Sequence, residues 1–353
     1  MKEVQGLKRT KVLLLLVLVL ILATVATACG DQRPTINVYN YGDYIDPEIL
    51  KEFEEEFGIK VNYSMYETNE DMYIKLKQGG SSFDVIFPSD YMIERMVGEG
   101  MLQKINKDNV PNLANVHEDF LGLEYDPNND YSVPYMWGTV GIVYNTTMVD
   151  DVVDSWDILW DEKYAGQIIM LDSQRDSIAV ALKKLGYSMN TRSVEELEAA
   201  KEELIKQKPL VYAYLGDQVK DAMVAGDAAL AVVYSGDAIA IMRENPDIQF
   251  AIPKEGTNLW FDCMVIPSTA ENKEGAEAFI NFLCRPEIAA RNAEYLGYST
   301  PIKEARQLLP DYMKDSEVAF PELEEVLKIT EIFKDPRDIV EEYDRIWTEL
   351  HSQ

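Results

Sequence analysis

The sequence has very little histidine and cysteine. Among its 353 residues there are two histidines, His117 and His351, and three cysteines, Cys29, Cys263 and Cys284. So few ligands exclude a Cys/His zinc site and a Cys–His nucleophile pair at any ordinary spacing. Cys263 and Cys284 stand in apolar runs, which predicts buried free thiols. A disulfide between them is the alternative in an oxidising compartment.

Short motifs of common enzymes are also missing. There is no G-x-S-x-G nucleophile elbow, no phosphate-binding P-loop and no H-E-x-x-H zinc motif. Low-complexity segments and clear repeats are absent too. We therefore expect no enzymatic activity, no cofactor and no metal ion. The alternative that stays open is a glycosidase in which two carboxylates face each other across a cleft.

Positive charge is scarce as well. The 33 Lys and Arg residues stand against 62 Asp and Glu residues, a formal net charge of −29. A protein this acidic should repel nucleic acid and attract cations, although acidity can also serve solubility alone. We expect no nucleic-acid partner.

The one long apolar run lies at the N-terminus. Residues 12–22 are apolar throughout, four cations precede them, and small residues lead to Cys29. This order predicts a signal peptide over residues 1–28 and hence an exported protein. The alternative is an uncleaved anchor, but the run is short for a membrane-spanning helix. Cleavage would remove four cations and one anion, leaving 29 Lys and Arg against 61 Asp and Glu, formally −32.

Cys29, directly after the cleavage site, resembles the lipidated cysteine of bacterial lipoproteins. Ala26 stands where leucine is usual in that motif. Two acyl chains on Cys29 would hold the protein stably on a membrane. We therefore expect a lipoprotein on the outer face of the cell membrane, which is the periplasmic side if the cell has an outer membrane.

From Thr35 onward, strand and helix patterns alternate in two successive sets. The predicted strands are 36–40, 59–64, 84–87, 167–171, 210–213 and 228–234, and the predicted helices are 46–58, 69–79, 88–97, 174–185, 193–206, 217–225 and 236–243. This order predicts an α/β protein with two mostly parallel sheets flanked by helices.

Two α/β units in one exported chain suggest two lobes with a cleft between them. Helices predicted at 272–283, 287–296 and 337–350 form a tail too long to belong wholly to the second unit. We infer that the chain crosses between the lobes more than once. The predicted first lobe comprises 35–139 and 262–306, and the second comprises 140–261 and 307–353.

Aromatic and acidic residues recur together where the predicted strands end. Residues 258–267 have the composition of a strand, in which Trp260 and Asp262 point to the same face. A ring and a carboxylate on one face suit an organic cation with apolar stretches between its charges. Similar pairs occur in 39–44, 88–91, 172–176 and 234–237. Alone, each pair also fits a helix cap or a core residue, but together they would converge on one cleft.

Two other ligands fit parts of this pattern. Aromatic platforms also bind sugars, and tyrosine clusters bind ferric iron in some exported two-lobe proteins. Histidine is nearly absent, however, and the rings here include Trp260. Both remain as alternatives.

The chain resembles the spermidine/putrescine-binding proteins of bacterial polyamine ABC transporters over nearly all of the mature sequence. The resemblance is carried by YNYGDY at 39–44, MYETNE at 65–70, DPNNDYS at 126–132, PYMWG at 134–138, KLGYS at 184–188 and GYSTP at 297–301. It implies a two-lobe periplasmic-binding-protein fold, a polyamine ligand, a membrane permease of an ABC transporter as partner, and a monomer.

The resemblance also implies which residues hold the ligand. In this family the polyamine lies extended between the lobes, with rings around its methylenes and acids on its amines. Asp262 matches the acid that binds one terminal amine, Asp176 matches the acid for the inner or other amine, and Asp43 adds charge. The matching ring and hydroxyl positions are Tyr41, Tyr44, Ser89, Tyr91, Tyr234, Trp260 and Tyr298.

Some positions depart from the family pattern. Tyr41 and Tyr234 stand where tryptophan is usual, which weakens each cation–π contact. Ser173 replaces an acid of the 172–176 loop, and we expect Asp172 beside it to substitute. These departures leave the choice between putrescine and spermidine open.

Overall fold

Two long antiparallel strands join two parallel half-sheets in this protein. The computed structural model describes residues 33–42, 44–80 and 82–352. Its strands are β1 (Thr35–Tyr41), β2 (Lys60–Tyr66), β3 (Val85–Ile86), β4 (Ser132–Asn145), β5 (Ile168–Leu171), β6 (Val211–Leu215), β7 (Leu230–Tyr234), β8 (Ile248–Ala251), β9 (Thr257–Val265) and β10 (Thr330–Glu331). They follow the order β2-β1-β3-β9-β4-β7-β5-β6, with β8 beside β4 and β10 beside β9.

Each half-sheet is built on a parallel core. In the first, β1 pairs in parallel with β2 and β3. In the second, β5 pairs in parallel with β6 and β7. Strands β9 and β4 lie antiparallel to these cores and pair with each other, Ser132–Thr139 against Leu259–Val265. The predicted fold class is confirmed: an α/β chain with two mostly parallel sheets and more than one crossing between them.

Helices lie between the strands and after the last of them. They are α1 (Pro47–Phe57), α2 (Asn69–Gln78), α3 (Asp90–Gly98), α4 (Gln174–Lys184), α5 (Val194–Gln207), α6 (Val219–Ala225), α7 (Ser235–Glu244), α8 (Lys273–Leu283), α9 (Pro286–Leu296), α10 (Asp311–Lys314), α11 (Leu323–Ile329) and α12 (Val340–His351). The start and end signals of α1 act as predicted, because the Asp46 carboxylate accepts the N–H of Glu48 and Gly58 ends the helix in a left-handed conformation.

The longest strand, β4, was not predicted from the sequence. Pro134, Gly138 and Gly141 interrupt its pattern and favour turns. In the structure, Pro134 lies where the pairing register with β9 shifts, a position that tolerates proline. The two glycines lie where the side chains of Trp260 and Phe250 cross the strand. The close approach of these rings therefore explains why glycine occupies both positions, and these glycines interrupt the sequence pattern by which a strand is recognised.

The predicted lobe boundaries at 139/140 and 261/262 lie within β4 and β9, the two strands that join the half-sheets. The assignment of residues to lobes stays a prediction. Cys263 and Cys284 are free and buried, which confirms the predicted thiols. In the described part of the chain no helix is both long and apolar enough to span a membrane. The predicted signal peptide, Cys29 and Asp43 lie outside the described residues.

Candidate ligand-binding site

Asp262 is a buried carboxylate whose partners are hydroxyl groups. It lies on β9, with its side chain almost fully enclosed at 8% exposure. Tyr44 Oη donates to Oδ2 at 2.7 Å, and Ser89 Oγ donates to Oδ1 at 2.6 Å. Burial raises the pKa of Asp262 to about 6, although both hydrogen bonds oppose the rise. Each oxygen of this carboxylate therefore accepts a hydrogen bond, but no positive charge compensates the negative charge.

Ser89 is oriented by an asparagine that sequence analysis did not identify. Asn69 Nδ2 donates to Ser89 Oγ at 3.0 Å, and the Ser89 N–H donates to Asn69 Oδ1 at 3.1 Å. Tyr41 Oη lies 3.2 Å from the same Oγ. No local pattern marked Asn69, because asparagine is ordinary at a helix N-terminus and Asn69 is the first residue of α2.

Asp176 is the second buried carboxylate of the site. It lies in the first turn of α4, where Ser173 caps the helix. Tyr234 Oη donates to Oδ2 at 2.8 Å and Ser173 Oγ donates to it at 2.6 Å. The other oxygen, Oδ1, is buried with no hydrogen-bond partner. Burial raises the pKa of Asp176, and the unpartnered oxygen is a site that a ligand N–H would satisfy.

Five rings form a continuous row from Asp262 to Asp176. We call Tyr41, Tyr44, Tyr298, Trp260 and Tyr234 the aromatic row. Successive ring centroids lie 5.5, 5.9, 5.6 and 6.0 Å apart, with interplanar angles between 74° and 87°. These are edge-to-face contacts, the arrangement that aromatic pairs prefer. Within the row, the indole N–H of Trp260 is buried without a partner.

Two glycines make room for the aromatic row. A Cβ atom at Gly138 on β4 would lie 2.6 Å from Cζ2 of Trp260, and one at Gly236 on α7 would overlap the ring of Tyr298. Any larger residue would therefore displace a ring. The row depends on the absence of side chains at these two positions.

A third carboxylate, Asp237, lies beside the middle of the row and was not among the predicted site residues. Its side chain is buried, and its Oδ1 accepts a hydrogen bond from Tyr298 Oη at 3.2 Å and one from Lys220 Nζ at 3.3 Å. Burial raises the pKa of Asp237, while the charge of Lys220 opposes the rise. The sequence signal was the pairing of Tyr234 with Asp237 at the end of β7.

Three other predicted site residues lie outside the aromatic row. Tyr91 donates to Glu70 Oε1 at 3.0 Å, and its ring lies 5.6 Å from the guanidinium carbon of Arg175. Asp172 is exposed and precedes Ser173, the N-cap of α4. The structure therefore does not bring Asp172 to the row. Asp43 lies outside the described residues.

Charged residues pack beside the first turn of α4. Arg175 has its guanidinium carbon 4.4 Å from the centroid of the Phe333 ring and 5.0 Å from that of Tyr343, and its charge opposes the burial that raises the pKa of Asp176. Nearby, Arg95 on α3 donates twice to Asp335 Oδ1, at 2.7 and 2.9 Å. Both partners are well shielded, with 13% and 1% of their side chains exposed.

The same segment makes a second bond to α3. The N–H of Asp335 donates to Glu94 Oε2 at 2.7 Å. We call residues 333–337 the closing segment, because it holds α3 beside the N-terminus of α4.

Two parallel half-sheets that share crossing strands, with a ring-and-acid site beside the crossing, define a two-lobe solute-binding protein.

Comparison with known proteins agrees with this class. The family described as bacterial extracellular solute-binding protein matches residues 48–320. The chain belongs to this family.

The curated relatives include polyamine-binding proteins. The chain is 41% identical to a spermidine/putrescine-binding periplasmic protein of Escherichia coli over 303 residues, which cover 85% of this chain and 87% of the relative. It is 35% identical to a putrescine-binding periplasmic protein of Pseudomonas aeruginosa, with 97% and 98% of the two chains covered.

The fold is also that of a solved relative. The structure of a spermidine/putrescine ABC transporter substrate-binding protein from Streptococcus pneumoniae superimposes with a TM-score of 0.81 at 40% identity. The match covers 90% of this chain and 99% of that one.

Proposed function

We propose that this protein binds a polyamine between its two half-sheets and delivers it to the permease of an ABC transporter. The observation that carries the proposal is the aromatic row with a buried, hydroxyl-bonded carboxylate at each end. In the described part of the chain, neither Asp262 nor Asp176 has a lysine or arginine within ion-pair distance. A ligand with separated ammonium groups would supply the missing charge.

The rings between the two acids suit the apolar part of such a ligand. Ammonium groups and the methylenes next to them are attracted to ring faces, and each cation–π contact contributes about 0.5–2 kcal/mol. A charge-assisted hydrogen bond to a carboxylate contributes about 1.5–3 kcal/mol. After desolvation and ordering costs, a few of each give dissociation constants of about micromolar or below.

Delivery follows from the way the half-sheets are joined. Strands β4 and β9 cross between them, so that bending at these strands would open and close the site. A closed, loaded protein presents a different surface to a permease from an open one. Lipid on Cys29 would keep the protein at the membrane that carries the permease. We expect it to act as a monomer without catalysis.

Calorimetric titration of the mature protein with putrescine, spermidine and spermine tests the proposal. Ligand that co-purifies is first removed by unfolding and refolding, and a neutral disaccharide serves as the control. The expected result is saturable one-to-one binding of at least one polyamine and no heat from the sugar. Binding of the sugar alone would show that the aromatic row forms a carbohydrate site.

A further inference from the structure

Asn258 is a buried asparagine whose side-chain oxygen is left without a hydrogen bond. The residue is 2% exposed, and its Oδ1 has no hydrogen-bond partner among the residues that the structure describes. A buried acceptor left unsatisfied costs free energy, and most buried polar groups in folded proteins have a partner. Stability alone therefore does not explain why this oxygen is kept.

Strand β9 places Asn258 on the face that forms the site. Side chains alternate along a strand, so Asn258 points to the same face as Trp260 and Asp262. The pairing of β9 with β4 is regular from Leu259 to Asp262, so that no bulge breaks the alternation there. Asn258 therefore lies beyond Trp260, on the side away from Asp262.

At that end of the aromatic row, Asn258 is a neighbour of Asp176. Burial raises the pKa of Asp176, and the side chain of Asn258 is among the groups that oppose the rise. Asp176 Oδ2 accepts hydrogen bonds from Ser173 and Tyr234, whereas its Oδ1 is buried without a partner in the described part of the chain. Two neighbouring side chains thus each keep one unsatisfied acceptor, one charged and one neutral.

A primary ammonium group matches this pair of acceptors. It carries three N–H donors, and one carboxylate oxygen leaves the others to be satisfied elsewhere. With one N–H on Asp176 Oδ1, a second N–H can reach Asn258 Oδ1, and the adjoining methylene then lies against the rings of the row. A neutral acceptor adds this hydrogen bond without a further buried negative charge.

We propose that Asn258 is a ligand-binding residue, which together with Asp176 holds one terminal ammonium group of the polyamine. The proposal rests on polyamine binding as the function of the site, and it adds a residue that was not among the predicted ones. It does not depend on the length of the ligand, because both acceptors bind the same ammonium group.

The test compares Asn258→Leu with the wild type by calorimetric titration with putrescine. Leucine has nearly the shape of asparagine but no acceptor, so the dissociation constant should rise about tenfold, the loss expected for one hydrogen bond to a charged group. The melting temperature of the free protein should change little, because the lost oxygen leaves no partner behind.

Titration over a range of pH separates a lost contact from an effect on Asp176. Without the amide, the pKa of Asp176 would rise further, which weakens binding only where the carboxyl group is partly protonated. The loss in Asn258→Leu should therefore persist from about pH 6 to about pH 9. A loss that disappears as the pH rises would mean that Asn258 acts through Asp176 and does not touch the ligand.

The matched control is Asn145→Leu. Asn145 is a buried asparagine at the end of β4, but its Oδ1 accepts the N–H and the hydroxyl of Thr147, at 3.0 and 2.7 Å. This substitution should lower the melting temperature and leave the affinity for putrescine unchanged.

A second variant, Asn258→Ser, has a side chain too short to reach the ammonium group and should show the same loss if the leucine variant does not fold. Wild-type affinity in a folded Asn258 variant would overturn the assignment of Asn258 to the site. Absence of polyamine binding in the wild type would instead overturn the proposed function.

Discussion

Burying a carboxylate without an ion-pair partner costs free energy, and the candidate site does so at both Asp262 and Asp176. Hydroxyl donors reduce the cost without removing it, as the raised pKa values of both groups show. A site built only for stability would place a lysine or arginine there. The two buried carboxylates therefore lower the stability of the free protein, and a cationic ligand would restore it on binding.

Asp262→Asn should lower polyamine affinity at least about tenfold, because it removes the charge from one charge-assisted hydrogen bond and keeps the side-chain shape. Calorimetry with putrescine and spermidine measures the loss. The control Asp311→Asn removes a charge from an exposed residue away from the row. Affinity equal to the wild type in Asp262→Asn would remove Asp262 from the site.

Binding should weaken as the pH falls through about 6, the pKa of Asp262. Protonation removes the charge that the ligand ammonium needs, so binding should release a proton near this pH, and each unit below it should cost up to about tenfold in affinity. Titrations between about pH 5 and about pH 8, in buffers of different ionisation enthalpy, measure both effects. An affinity independent of pH in this range would contradict the role of Asp262.

The Asp262 carboxyl group also affects the folding stability of the ligand-free protein, with a pH dependence opposite to that of binding. Its folded pKa lies above the unfolded value of about 3.9. The folded state therefore binds the proton more tightly, and the contribution of Asp262 to stability decreases as the pH rises from about 4 through about 6. The difference in unfolding free energy between the wild type and Asp262→Asn isolates this contribution from those of the other acids.

At the level of helices and strands, close packing explains what the sequence could and could not predict. Helices with capping residues and clear periodicity were predicted to within a few residues, as for α1 and α4. Strand β4 was missed because Gly138 and Gly141 accommodate rings from elsewhere in the chain. The sequence does not show which distant side chain will pack against a given glycine.

The candidate site shows the same limit. Alternation along β9 correctly places Trp260 and Asp262 on one face, beside the crossing strands. The expectation that Asp172 substitutes for the acid replaced by Ser173 was wrong although the start of α4 was predicted correctly: Asp172 is exposed, and Ser173 donates to Asp176 instead. The sequence shows Asp237 as an acid three residues after Tyr234. Its contact with Lys220 joins two helices, and a pattern within one segment of the sequence cannot predict such a contact.

Gly236→Ala should weaken polyamine binding about tenfold, because the added methyl group overlaps the ring of Tyr298 and overpacking forces that ring out of the row. Calorimetry measures the affinity, and thermal unfolding measures the accompanying loss of stability. The matched control is Gly216→Ala, whose methyl group would meet only Gln218 Oε1 at 3.8 Å. Unchanged binding in Gly236→Ala would mean that the position of Tyr298 is not needed.

Across the whole molecule, the closing segment connects parts of the chain that the predicted boundaries place in different lobes. Arg95 belongs to the predicted first lobe and Asp335 to the second, yet they form a shielded ion pair. Such a contact forms only when the lobes are together. It would add to the stability of the closed state without touching the ligand.

Arg95→Met should therefore speed polyamine release about tenfold while the association rate changes little. Surface plasmon resonance with immobilised protein measures both rates. The control is Arg291→Met, because Arg291 pairs with Glu52 at 2.7 Å within the predicted first lobe. A release rate equal to that of the wild type, with the control also unchanged, would show that the pair does not hold the lobes together.

The unpartnered indole of Trp260 gives the protein a built-in optical reporter. Of the five tryptophans, Trp137, Trp156 and Trp160 donate their indole N–H to backbone carbonyls, and Trp347 packs against Tyr214 and His351. Trp260 belongs to the aromatic row and contacts the rings of Tyr234 and Tyr298, whose hydroxyls donate to Asp176 and Asp237. Arrival of an ammonium beside this ring changes the electric field at the indole, so the intensity and wavelength of tryptophan emission would follow occupancy in real time without an added label.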